Sequence, residues 1–197
     1  MNKWKLATCC WVACAILTLA ASVHAQSEPS VEAFIAQLDS ATRAIHVKSK
    51  SDPALMREEC RDFLNLVLDF DAMARATNEE IWDKMTLPQR ATYRAAFEHR
   101  MVSSCVRQFS EYEGEVLQLA GVRSTESGDK LVTVRVGAQD DGKLVTWKLR
   151  DCGSDNWRAV DVIAEGRSAV LDARNEFAAV LQGVNGDIEA LIAFMRK

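Results

Sequence analysis

The sequence predicts an α+β fold, a four-stranded antiparallel meander sheet covered on one face by helices. Three observations carry this. Apolar residues recur at helical spacing up to Tyr112, at a spacing of two from Glu115 to Ala164, and at helical spacing again after Ser168. The strand-like runs are joined by Ser-Gly-Asp, Asp-Asp-Gly and Gly-Ser-Asp-Asn connectors, short enough for three hairpins. Within each run apolar and polar residues alternate, so one face meets water and the other must be covered.

Residues 1–25 read as an address rather than as part of this fold. Lys3 and Lys5 precede an almost wholly apolar run, Leu6 to Ala21, and Val23 and Ala25 put small residues at the −3 and −1 positions before Gln26. That is the pattern of a cleaved secretory signal. The run is just short of the ~20 residues a spanning helix needs, which makes an uncleaved anchor the competing reading. Cys9, Cys10, Cys14 and His24 leave with the signal. The expected mature chain, 26–197, has the length of one domain with a sizeable core. Losing Lys3 and Lys5 leaves 22 basic residues against 28 acidic ones. So acidic a chain suits neither nucleic acid nor loose adhesion to anionic lipid, and any lipid it handles is held inside.

The elements follow in order. Val31, Phe34, Ile35, Leu38 and Ile45 form a helical stripe over Ser30 to Val47. Asp52-Pro53 has the form of an N-cap with proline at the first helical position, and the run behind it reaches Leu68. Thr77-Asn78-Glu79-Glu80 and Thr86-Leu87-Pro88-Gln89 both have capping-box form. The second opens a long helix to about Tyr112, in which Tyr93, Phe97, Met101, Cys105 and Phe109 fall four apart, a broad apolar face. The predicted strands are Val116 to Val122, Leu131 to Ala138, Lys143 to Arg150 and Trp157 to Ala164. Val132, Val134 and Val136 share one face, as do Val145, Trp147 and Leu149, while Thr133, Arg135, Thr146 and Lys148 suit water. In the last strand Val160 and Val162 take one face, and Trp157, Ala159 and Ile163 the other. Ser168 starts a helical run that pauses at Gly183 and Gly186, and Ile188, Leu191, Ile192 and Met195 form a final stripe.

Three cysteines remain in the expected mature chain, in an oxidising compartment, so at most one internal bridge forms. Cys60 and Cys105 both sit in helical apolar patterns, as neighbours or as two small core residues; the expectation is a Cys60–Cys105 bridge with Cys152 free in an exposed turn. No two of the three have metal-ligand spacing. Candidate chemistry is sparse. His46 and His99 lie on helices, and His99 reads as a surface residue beside Glu98 and Arg100. Asp69 and Asp71 flank Phe70 at a helix end and read as caps rather than an acid/base pair. Ser168 lacks a G-x-S-x-G elbow and reads as an N-cap. Arg135 and Arg167 are the charged groups nearest the apolar sheet face, either surface residues or phosphate contacts.

Several runs carry a resemblance. Trp157, Asp161, Val162, Glu165, Gly166 and Ser168 resemble the W-x-x-x-D-[VM]-x-x-E-G-[VI]-S run of the MlaC family, periplasmic phospholipid carriers also known as toluene-tolerance auxiliary proteins. The FDAMAR segment, Phe70 to Arg75, is similar to the family's F-D-x-x-x-[IM]-[AS]-R region, in a tighter form. Trp82, Thr86, Gln89, Arg90, Tyr93 and Phe97 follow its W-x-x-[AS]-T-x-x-Q-R-x-x-[FY]-x-x-x-F run, and Tyr112 fits the tyrosine ending its long helix. The chain departs from the family at Arg167, usually aliphatic, at Cys105, often aromatic, and in lacking a glycine before Trp82. The likeness spans nearly all of the expected mature chain.

The resemblance implies a cystatin-like or NTF2-like cone of sheet and helices with an apolar cavity, although periodicity alone is compatible with a filled core as well. It implies a carrier needing no cofactor, which takes a phospholipid between an outer-membrane lipoprotein complex and an inner-membrane transporter with an MCE-domain subunit. Members linked to hopanoid metabolism share the fold, so a sterol-like cargo is an alternative, and a small periplasmic enzyme acting on a hydrophobic substrate is another. The expected lipid-binding wall is Val132, Val134, Val136, Val145, Trp147, Leu149, Val160 and Val162 from the sheet, with Phe97, Met101 and Phe109 from the long helix. Such a wall is needed because an exposed acyl chain costs ~0.8 kcal/mol per CH₂.

Overall fold

The computed structural model of the chain describes residues 29–52, 55–138, 141–153 and 156–197. The expected signal segment 1–25 lies outside them, as do Pro53 and parts of two predicted turns, Asp140 and Ser154-Asp155. Among the described residues the order is α1 (Pro29–Ser51), α2 (Met56–Val67), α3 (Phe70–Thr77), α4 (Glu79–Trp82), α5 (Leu87–Ser110), β1 (Leu117–Ser124), β2 (Lys130–Val136), β3 (Lys143–Asp151), β4 (Trp157–Ala164), β5 (Arg167–Ser168), α6 (Ala169–Gly183) and α7 (Ile188–Met195).

Local chemistry accounts for four of the helix starts. The Asp69 carboxylate accepts from the Ala72 N–H at 2.9 Å and opens α3. Thr86 and Gln89 form a reciprocal capping box at α5, with Pro88 in the first turn. Ser168 accepts from Leu171 N–H at 3.0 Å and opens α6, and Asp187 accepts from Glu189 and Ala190 at α7. The other predicted capping box, at Thr77, does not form. Thr77 is instead the buried last residue of α3; its hydroxyl meets the Ala74 carbonyl at 2.7 Å and the Tyr93 hydroxyl at 2.8 Å, so it is not available as a cap. Asn78 stands at the start of α4 without a side-chain cap.

The sheet is antiparallel with strand order β1-β2-β3-β4-β5. It has five strands where four were expected. The fifth arises because Glu165 and Gly166 both take positive φ, 52° and 77°, as a two-residue type I′ hairpin requires. The chain therefore returns alongside β4, pairing Ile163 with Ser168 and Ala164 with Arg167, before α6 begins. Asp161 locks this corner. Its carboxylate accepts from Val162 N–H at 2.8 Å, Val170 N–H at 3.1 Å and the Ser168 hydroxyl at 2.6 Å, tying β4 to the first turn of α6. Asp161→Ala is expected to lower stability by about 2 kcal/mol in urea denaturation, because three donors lose one charged acceptor.

Register assigns the faces. Val132, Trp147 and Val162 align across three strands, as do Val134, Val145 and Ala164. Leu117, Leu119 and Val122 of β1 pair with Val136, Val134 and Val132. These residues form the inner face. Phe34 of α1 lies edge-on to Trp147 at 5.9 Å between ring centroids, which sets α1 over that face. The α2–α3 junction joins the sheet directly: Leu68 bridges Ala159 in parallel, and Asp69 N–H donates to the Ala159 carbonyl at 2.9 Å. Arg158 donates to the carbonyls of Asn65, Leu66 and Leu68, satisfying the end of α2.

One face assignment is corrected. The register slips at Val160, between the pairs Lys148–Asp161 and Leu149–Ala159. Such a bulge inverts the alternation on its N-terminal side. Trp157 and Ala159 therefore join Val162 on the inner face, and Val160 stands on the outer face with Lys148 and Arg150.

Cys60 and Cys105 are bridged, with Cα atoms 5.9 Å apart, linking α2 to α5 as expected. Cys152 is free and exposed. Among the described residues no helix is long and apolar enough to cross a membrane.

Candidate functional site

The inner sheet face grades from sealed to open. Val132 and Val134 on β2, and Leu149 on β3, are no more than 1% exposed. Val136, Val145, Trp147 and Val162 are half-buried. On β1 the same face continues through Leu119 and Val122, each 40% exposed although their cross-strand partners Val134 and Val132 are sealed. The wall thus runs to the surface at the β1 edge of the sheet. A second irregularity sits there: the β1–β2 register shifts between Leu119 and Gly121.

The long helix contributes differently from the sheet. The principal neighbours of α5 are α2, α3 and α7, while α1, α2, α3 and α6 reach the sheet. Phe97 meets Phe70 of α3 at 6.4 Å, and Phe109 meets Phe63 of α2 at 6.0 Å and Tyr112 at 5.3 Å, all edge-on. Met101 packs, half-buried, against the same core. Sequence reasoning missed Phe34, Leu119 and Val122 as members of the face. Their alternation and helical spacing were visible; what covers what depends on register and on where α1 lies.

The polar candidates are engaged in structure. Asp69 caps α3, and Asp71 pairs with Arg94 at 3.1 Å. Arg135 stands on the outer face opposite Leu144, and Arg167 pairs with Asp172 at 2.8 Å, so neither lies on the apolar wall. His99 lines a cleft of about 390 Å³ with Arg61, Ala95, Glu98 and Arg196. Tyr93 is fully buried, and burial pushes its phenol up to about 12 despite the Thr77 bond. Arg90 donates to the carbonyls of Trp82 and Asp83 and stacks on the Trp82 ring, closing the end of α4.

A second cleft, of about 450 Å³, lies on the outer face. It is lined by Ala72, Arg75, Ala76, Glu79, Lys148, Arg150, Val160, Asp161, Val170 and Arg174. Beside it Asp129 is buried and accepts both Nε and Nη2 of Arg150 at 2.9 Å, with Lys148 Nζ at 3.3 Å. The Arg150 hydrogen bonds, aided by Lys148, hold the Asp129 carboxyl below its ordinary 3.8. A depressed carboxyl stabilises the fold above its unfolded value and ceases to do so as pH falls through the folded one. Asp129→Asn is therefore expected to melt lower than the parent at neutral pH. In an acid titration of thermal stability, that gap should close only below about pH 3.8.

The fold and the open apolar face define a class: small α+β proteins in which helices cover the apolar face of an antiparallel sheet. A family model described as MlaC protein matches residues 32–197, and the chain belongs to the MlaC family. Among solved structures it is similar to a phospholipid-binding protein from Ralstonia solanacearum in complex with a phospholipid. That likeness has 15% sequence identity and a TM-score of 0.66, covering 81% of this chain and 93% of the other. At this identity it shows that the two share a fold.

Proposed function

We propose that this protein is a periplasmic carrier that binds a phospholipid by its acyl chains against the inner sheet face. In this reading the expected signal 1–25 is removed, 26–197 is the single lipid-binding domain, and the carrier passes its cargo between an outer-membrane lipoprotein complex and an inner-membrane MCE-domain transporter. The observation that supports it is the β1 edge. A filled scaffold has reason to seal its apolar face, whereas Leu119 and Val122 carry that face out to water. An acyl chain entering there meets Val134 and Val132 next. The family and the phospholipid-bound neighbour support the same cargo. Catalysis receives no such support, since Asp69, Asp71 and Ser168 serve as caps or ion-pair partners.

Native mass spectrometry of protein purified without added lipid tests the proposal. A carrier brings a co-purified mass in the phospholipid range, and a sterol-like mass would redirect the cargo assignment to hopanoids. Protein that is always lipid-free, and takes up none from phospholipid vesicles, would overturn the carrier reading.

A further inference from the structure

The outer-face cleft is chemically unlike the apolar wall on the opposite side of the sheet, and it is independent of the lipid reading. Four cations converge on it from three elements: Arg75 of α3, Lys148 and Arg150 of β3, and Arg174 of α6. This occurs on a chain whose formal net charge is −4. The acids nearby do not offset the four equally. Asp161 directs both carboxylate oxygens at Val162, Val170 and Ser168. Asp129 is buried beside Arg150 and Lys148 rather than in the cleft. The remaining ion pairs are loose and wet, Arg75 to Asp83 at 3.5 Å and Arg174 to Glu79 at 3.7 Å. Exposed pairs of that kind hold their partners weakly and yield to a better acceptor.

Two of the guanidinium groups are also held in place. Arg150 is fixed through Nε and Nη2 on Asp129, and Arg174 through Nε and Nη2 on the Ala76 carbonyl. In each case Nη1 is left for another acceptor. The floor is apolar: the bulge turns Val160 outward among these cations, next to Val170. A volume of about 450 Å³ suits a small organic molecule rather than a bare ion or a folded partner. Arginine forks match the paired oxygens of a phosphate, and an aliphatic floor matches the carbon skeleton attached to it.

We infer that this cleft binds a phosphate ester, its phosphate held by Arg75, Lys148, Arg150 and Arg174 and its short carbon chain resting on Val160 and Val170. Two sources share that chemistry, a soluble phosphate ester and the glycerophosphate of a lipid headgroup.

Calorimetric titration of the full protein with sn-glycerol 3-phosphate at low salt tests the first source. Co-sedimentation with phosphatidylglycerol vesicles tests the second. Arg75→Gln and Lys148→Gln are the informative variants, because Arg75 is exposed and Asp129 keeps its two bonds to Arg150 when Lys148 is lost. Each should weaken binding of the responding probe by roughly tenfold, the loss of one charge-assisted contact. Binding of glycerol 3-phosphate, so weakened, assigns a soluble ester; binding of vesicles alone, so weakened, assigns a headgroup. The proposal is overturned if neither probe binds, or if the Arg75→Gln/Lys148→Gln double variant binds as the parent does. Co-purified lipid in the same variants should be unchanged, since the apolar wall lies on the other face. That readout separates a failure here from a failure of the carrier reading.

Discussion

Replacing Leu119 and Val122 together by aspartate is expected to strip bound lipid from the protein while leaving its thermal midpoint within a few degrees of the parent. Both side chains are already 40% exposed, so the fold loses only part of the apolar burial of each, on the order of 1 kcal/mol per site. A bound acyl chain would feel the change far more. A carboxylate pressed against hydrocarbon has no partner, and desolvating it costs several kcal/mol. Aspartate is also too short to lift its charge back into water, as lysine does. At ~1.4 kcal/mol per factor of ten, lipid occupancy should fall more than tenfold. Leu144→Asp supplies the control. Leu144 is 46% exposed but stands opposite Arg135 on the outer face of the same sheet, and its replacement should leave co-purified lipid unchanged. A folded Leu119→Asp/Val122→Asp protein that retains its full lipid mass would remove the β1 edge from the binding site.

Much of this architecture was legible because it is local. Helix starts are written in short side-chain-to-backbone bonds, so Asp69, Thr86 and Ser168 could be read as caps from their neighbours alone. The alternation of Val132, Val134 and Val136 fixed a face of β2 without knowledge of anything it touches. Thr77 misled because its competing partner is Tyr93, sixteen residues away, and the buried hydroxyl pair outweighs a cap at an exposed helix end. Val160 misled for a related reason. A bulge is a property of two strands together, and this one sits where the Ala159 carbonyl is claimed by Asp69 from outside the meander. The two-residue β5 hid behind the same limit of periodicity, since a pair of residues has no period to detect. The Glu165-Gly166 turn was its only local signal.

The site was legible in part. Sheet positions followed from alternation, but depth did not: Val134 is sealed while its partner Leu119 is open, and the two look alike in sequence. Phe34 entered the inner face because α1 crosses it, a tertiary fact. The cationic cleft could not have been found by spacing, since Arg75, Lys148, Arg150 and Arg174 come from three elements brought together only by the fold.

Removing the Cys60–Cys105 bridge is expected to produce the largest loss of stability available from a conservative change. The bridged cysteines are 45 residues apart. In the loop-entropy account, closing such a loop restricts the unfolded chain by roughly 4 kcal/mol at 25 °C. Residual structure in the unfolded chain reduces that figure, and the lost packing of two buried sulfurs adds to it. At 2–4 °C per kcal/mol for a domain of this size, the Cys60→Ala/Cys105→Ala protein should melt about 10 °C below the parent. Cys152→Ser should shift the midpoint by no more than ~1 °C, because that thiol is exposed and outside the core. The comparison also locates the constraint. The bridge ties α2 to α5, and α2 runs directly into the Leu68–Ala159 bridge on β4, so it anchors the helical layer to the sheet. Reductant should therefore lower the melting temperature of the parent and of Cys152→Ser alike, and leave Cys60→Ala/Cys105→Ala where it was. A parent whose midpoint is indifferent to reductant would show that packing alone holds α2 and α5 together.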